Sequence, residues 1–152
     1  MSSRLNSAEV GRLFLDANAL FSAAYRKDAG VQRLWGLVEV ELVTSAYAIE
    51  EARRNLDFAQ QRSDLGELLR EVRVSNLLAD PAGHPEIEGS GLPGKDLPVL
   101  RAAVAAGATH LVTGDRKHFG HLLGKKVAGV LVVRPADYLK GRGRREPRKK
   151  TE

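Results

Sequence analysis

Four acidic residues fall where a parallel α/β fold can gather them: Asp16 in LFLDANALFS, Glu51 in AIEEARRNL, Asp96 in GKDLPVLRAA and Asp115 in HLVTGDRKHF. Asp16 and Asp115 follow short apolar runs that read as buried strands. Glu51 and Asp96 sit on, or at the start of, helical segments. In open α/β sheets functional groups collect beyond the carboxyl ends of the strands, so residues this far apart in sequence can meet there. Carboxylates crowded together without a cation raise one another's pKa, and a divalent ion removes that penalty. The chemistry to expect is a Mg²⁺ or Mn²⁺ site and, with it, phosphodiester hydrolysis.

Each candidate also has a plainer reading. Asp16 could be a turn residue between strand and helix. Asp96 precedes Leu97-Pro98 and is placed to cap a helix, which is the better reading on local grounds. Both roles are compatible if one oxygen caps while the other faces an ion. Glu50 stands four residues before Arg54, a stabilising pair on an exposed face, so Glu51 is left as the ligand candidate. Asp115 is the strongest single candidate, because Thr113-Gly114-Asp115 puts a hydroxyl and a carboxylate at one strand end. His84, His110, His118 and His121 lack the i, i+4 spacing of a helical zinc pair, and His118 and His121 read as surface helix residues. Gly89-Ser90-Gly91 is not followed by Gly-Lys-Ser/Thr and does not read as a phosphate loop.

These residues need elements to carry them. Leu13 to Leu15 reads as a buried strand ending at Asp16, followed by a helix from Ala17 to Arg26. A second helix is expected over Ala29 to Val38, with Val31, Leu34, Trp35 and Val38 on one stripe. Glu41 to Thr44 is a strand, and Ser45 is a candidate N-cap for a helix burying Ile49, Ala52 and Leu56. Asp57 to Arg70 is expected helical, Val72 to Val74 a strand, and Ala79 to Lys95 a surface loop rich in Pro and Gly. Asp96 opens a helix through Ala106, with Pro98 in its first turn and Gly107 at its end. Thr109 to Thr113 and Val127 to Val133 complete the strands, and Pro135 to Leu139 forms a closing turn or helix. The alternation implies an α/β domain, a central parallel sheet of four or five strands with helices on both faces.

At 152 residues the chain fits one domain, large enough to bury about 70% of its unfolded surface. The absence of cysteine excludes disulfides, thiolate zinc sites and cysteine nucleophiles. MSSRLNSAEVGR has no signal-like apolar stretch, and no run approaches the ~20 apolar residues of a membrane span, so a soluble cytoplasmic protein is expected. Charge is uneven. Residues 140–152 hold seven of the 24 basic residues (Lys140, Arg142, Arg144, Arg145, Arg148, Lys149 and Lys150) and two of the 19 acidic ones, leaving 17 of each in residues 1–139. The expected organisation is therefore a neutral domain over 1–139 and a basic, disordered tail over 140–152 that could bind RNA or another polyanion.

Four segments in order, LFLDANALFSAA, VTSAYAIEEARRNL, KDLPVLRAAVAAGATHLVTGD and VLVVRPADYL, resemble the PIN-domain family of metal-dependent ribonucleases, particularly its branch of toxins from toxin–antitoxin pairs. The resemblance spans Leu13 to Leu139. It implies a Rossmann-like sheet and an acidic pocket of Asp16, Glu51, Asp96 and Asp115. In it Asp16, Asp96 and Asp115 would hold Mg²⁺ or Mn²⁺, with Asn18 and Thr113 as polar neighbours. It further implies RNA cleavage by metal-activated water, a small antitoxin as partner, and homodimers among relatives. Many relatives carry another acid two positions after the last one, where this chain has Lys117. That departure leaves a non-catalytic RNA- or protein-binding module as an alternative, beside a housekeeping RNA-processing nuclease. Phosphotransfer through an aspartyl phosphate on Asp16 fits poorly, because Asn18 stands where dehalogenase-like phosphatases have a second Asp.

Overall fold

Leu13, Phe14 and Leu15 have no exposed surface, which marks strand β1 (Gly11–Leu15) as central in a sheet covered on both sides. The structure, a computed structural model, describes residues 11–27, 29–75 and 83–141. β1 is followed by α1 (Ala17–Tyr25), β2 (Val40–Ser45), α2 (Ala46–Asn55), α3 (Ala59–Leu69) and β3 (Arg73–Ser75). After α4 (Pro85–Glu88) come α5 (Leu97–Ala105), β4 (His110–Val112), α6 (Arg116–Phe119), β5 (Lys126–Val127) and β6 (Val130–Val133). The strand order is β3-β2-β1-β4-β6-β5, parallel except for β5 against β6.

Side chains alternate across β1 because successive strand residues face opposite ways. Leu13 and Leu15 join Leu20 of α1, Ala48 and Ala52 of α2 and Leu65 of α3 in one apolar cluster. Phe14 faces the other way, into a cluster with Val43, Leu100 of α5, Leu111, Phe119 of α6 and Val132. Fully burying such side chains stabilises by about 1.5–3 kcal/mol each before conformational entropy is counted. Three layers result, with the sheet in the middle. The expected α/β architecture is present, with a sixth strand beyond the four or five expected.

Two local expectations are corrected. Val127 to Val133 is not one strand: Ala128 and Gly129 both take positive φ (51° and 88°) and turn β5 back onto β6, the twist that two-residue hairpins require. Residues 29–38 do not form an α-helix. Gly30–Gly36 is a 3₁₀ helix, in which residues three apart eclipse, so Val31 and Leu34 are buried while Val38 is exposed. The surface loop expected over 79–95 holds α4 and a 3₁₀ turn, Gly94–Asp96; its residues 79–82 lie outside the described residues.

Caps end the helices as their sequences require. The Ser45 hydroxyl accepts from Ala48 N at 3.2 Å at the start of α2. At the end of α5, Gly107 has φ +71°, and Gly107 N and Ala108 N donate to Val104 O and Ala103 O, closing the last turn. Helical residues 135–141 follow β6, reaching two residues beyond the expected end of the body.

Candidate functional site

The chain leaves β1 toward β2 on one side, and β4 lies on the other, so a crevice opens beyond the carboxyl ends of β1 and β4 where the strand order switches. Asp16 and the Thr113-Gly114-Asp115 turn emerge there. Asp16 is 5% exposed. Its Oδ1 accepts from Ala17 N at 2.7 Å, capping α1, and its Oδ2 accepts from the Thr113 hydroxyl at 2.7 Å. Thr113 Oγ1 also accepts from Asp115 N at 3.0 Å, so one fully buried hydroxyl ties the two strand ends together. Asn18 adds a second tie, its Oδ1 accepting from Gly114 N at 2.9 Å. A Cβ at Gly114 would lie 2.5 Å from that oxygen, a steric reason for glycine in this turn.

Asp96 arrives from the 3₁₀ turn that runs into α5. The expected cap is absent: no side-chain hydrogen bond caps this helix. Asp96 is 7% exposed, and its Oδ2 is a buried oxygen with no hydrogen-bond partner among the described residues. Glu51 comes from α2 and is half-buried, while Glu50 is exposed and pairs with Arg53 at 3.7 Å rather than with Arg54. Tyr47, one turn before Glu51, donates its hydroxyl to Lys95 O at 2.8 Å, holding the Asp96 turn against α2.

Asp16, Glu51, Asp96 and Asp115 thus line one cleft of about 370 Å³, with Asn18, Asn55 and Lys95. Burial, then the negative charges of Asp96 and Glu51, push the Asp16 carboxyl up to about 6 despite its hydrogen bonds. Burial also raises Asp96, against the opposing pull of His118 and Lys95. Burial acts in the same sense on Asp115, but hydrogen bonds from the backbone and ring of His118 outweigh it and hold that carboxyl below its usual range. Such a set favours a cation.

His118, expected on the surface, is partly buried behind the cleft lining, with its ring against Asp96 and Asp115. Asp115 Oδ1 accepts from His118 N at 3.0 Å, starting α6, while His118 Nδ1 lies 2.9 Å from Asp115 Oδ2 and 3.5 Å from Asp96 Oδ2. The sequence signal was Asp-x-x-His at a helix start, followed by Phe119, which is fully buried and fixes how the short helix turns. Lys117 is exposed and is not part of the cleft lining. Of the expected RNA contacts, Arg142, Arg144, Arg145, Arg148, Lys149 and Lys150 lie outside the described residues.

A family profile described as PIN domain matches residues 12–117. No curated protein matches the chain. Among solved structures, the fold is similar to a chain of VapBC2 from Rickettsia felis bound to a DNA fragment from its promoter, with a TM-score of 0.61 and 19% identity over 81% of this chain and 98% of that one. It is also similar to a chain of DNA-bound VapBC from Salmonella typhimurium, at a TM-score of 0.59 and 14% identity, and to one of VapBC-1 from nontypeable Haemophilus influenzae, at 0.58 and 16%. Both of these alignments cover 82% of this chain and 98% of the other.

Proposed function

The chain belongs to the PIN domain family, and from that premise we propose that it is a divalent-metal-dependent endoribonuclease acting in the cytoplasm as the toxin of a toxin–antitoxin pair. The observation that carries the metal reading is the buried Oδ2 of Asp96, without a hydrogen bond among the described residues, beside a cleft walled by three more acids. Asp16, Asp96 and Asp115 would hold the ion. A bound Mg²⁺ or Mn²⁺ supplies charge to offset the phosphate and acidity to the attacking water. Thr113 keeps the Asp16 carboxylate aimed inward, and Asn18 fixes the Gly114 turn that presents Asp115. Glu51, on the α2 wall, would ligate the ion through water or orient the attacking hydroxide. Hydrolysis of this kind needs no 2′-hydroxyl, so the RNA preference rests on the family resemblance.

A larger groove of about 990 Å³ adjoins the cleft and shares Asn18 with it. Ala19, Val31 and Leu139 line it with Arg33, Arg116 and Lys140, the last two near enough to Asp137 in the same lining to help lower its carboxyl. Cations beside an acidic ion site suit a nucleic-acid strand, whose phosphates flank the one being cut. The antitoxin reading draws on the fold shared with chains of VapBC complexes, and co-purification with the product of an adjacent small reading frame tests it.

The activity test is incubation of the full chain with single-stranded and structured RNA in Mn²⁺ or in EDTA. Cleavage is expected in Mn²⁺, lost in EDTA and lost in Asp16→Asn and Asp96→Asn. Cleavage that survives EDTA or both substitutions overturns the reading. Lys117 favours a second reading, a non-catalytic binding module, which predicts RNA binding without cleavage in any ion.

A further inference from the structure

We infer that His118 is itself a ligand of an ion held between Asp96 and Asp115 at the edge of this cleft, a nitrogen donor standing in for the acid that Lys117 does not supply, and that the site selects a transition ion over Mg²⁺. The inference rests on the metal reading above and sharpens it. Asp96, Asp115 and His118 each offer one ligand atom, and the three atoms lie within 4.8 Å of one another. Neighbouring ligands about 2.1 Å from a common ion stand roughly 3.0–3.4 Å apart. The His118 Nδ1 distances of 2.9 Å to Asp115 Oδ2 and 3.5 Å to Asp96 Oδ2 are close to that spacing.

A plain hydrogen-bonding role for His118 accounts for less. One Nδ1 proton can serve the Asp115 oxygen, but at 3.5 Å it leaves Asp96 Oδ2 buried and without a hydrogen bond among the described residues. A cation among the three atoms satisfies both oxygens and the ring nitrogen together, with the imidazole in its Nε2–H tautomer. The local fold supports this use. Asp115 spends Oδ1 on the helix cap and keeps Oδ2 turned to the ring, and the buried Phe119 anchors the turn that carries His118.

The chemical consequence is selectivity. Carboxylate and water sites suit Mg²⁺, whereas imidazole suits the later first-row ions. An Asp96–Asp115–His118 set should therefore rank Co²⁺ above Mn²⁺ and Mn²⁺ above Mg²⁺.

The test is pulsed EPR on the Mn²⁺-loaded full chain, prepared with natural-abundance histidine and again with ¹⁵N-histidine. A directly coordinated ¹⁴N coupling is expected, converting to ¹⁵N on labelling, and this needs no substitution that could disturb folding. In parallel, calorimetry should show His118→Ala weakening Co²⁺ by at least about tenfold, Mg²⁺ by much less, and His118→Asp shifting preference back toward Mg²⁺. Mn²⁺ bound without histidine nitrogen coupling, or equal losses for Co²⁺ and Mg²⁺ in His118→Ala, overturns the ligand role while the metal reading stands. No binding of any divalent ion to the unsubstituted chain overturns both.

Discussion

Burial pushes the Asp16 carboxyl up to about 6 from 3.8, so in ion-free protein the fold favours its protonated form. That contribution is fully present below the ordinary value near 3.8 and is lost as pH rises through about 6, and a shift of this size corresponds to roughly 3 kcal/mol. Asp115 acts in the opposite sense: its carboxyl is held low, so its contribution is present above the usual value and lost on acidification. Asp16→Asn keeps the oxygen that caps α1 and removes the charge. In EDTA it should melt higher than the unsubstituted chain at pH 7.5, with the difference shrinking toward pH 5, and added Mn²⁺ should reverse the order. An Asp16→Asn chain no more stable than its parent in EDTA at pH 7.5 would show that the buried charge costs little. Asp16 and Asp115 were legible because each closes an apolar run. Asp96 was ambiguous, since a helix start looks the same whether or not its carboxylate caps, and only the fold shows that it does not. His118 was signalled only by Asp-x-x-His at a helix start and was read as a surface residue, because the direction of a four-residue helix is set by where Phe119 is buried.

At the scale of elements, the site depends on short pieces held by packing rather than by their own propensity. α6 has four residues, and its buried member is Phe119. Phe119→Ala should cost about 3–5 kcal/mol, read by urea unfolding, and should weaken Mn²⁺ binding by loosening the Asp115–His118 turn. Unchanged Mn²⁺ affinity in a destabilised but folded variant would separate α6 packing from the site. Gly114→Ala tests the other tie. Its methyl would collide with Asn18 Oδ1, so Asn18 must swing away, and Mn²⁺ affinity should fall by about tenfold with little change in melting temperature. The alternation of apolar runs and helical stripes made the parallel sheet readable, including the Ser45 cap and the Gly107 stop. It misread residues 30–36, where the spacing of three from Val31 to Leu34 fits either helix type. It also missed the β5–β6 turn, because Ala128-Gly129 lies inside an unbroken apolar run and lacks the usual Asn or Asp.

For the whole molecule, charge separates two places where a strand of RNA could be gripped: the groove cations Arg33, Arg116 and Lys140 and the basic residues after Gly141. If four tail cations meet phosphates of a single strand, ending the chain at Gly141 should reduce the slope of log K against log salt by about 2.8, which is roughly a 50-fold weakening between 50 and 200 mM. Replacing the three groove cations with Ala should remove a further slope of about 2. Fluorescence anisotropy in EDTA reads both, and a slope unmoved by either change would place the strand elsewhere. The strand order that puts Asp16 beside Asp115 was foreseeable from α/β connection rules. The groove was not, because it is lined jointly by residues of 135–140, α1 and the 3₁₀ segment, which lie far apart in sequence. The central claim is that this assembled crevice holds an ion at the Asp96 oxygen that has no hydrogen bond among the described residues. Anomalous scattering from a crystal of the full chain soaked in Mn²⁺ tests it most directly. A peak is expected within about 2–2.5 Å of Asp96 Oδ2 and an Asp115 oxygen, and a cleft without a peak, or manganese bound only elsewhere on the surface, would contradict the account.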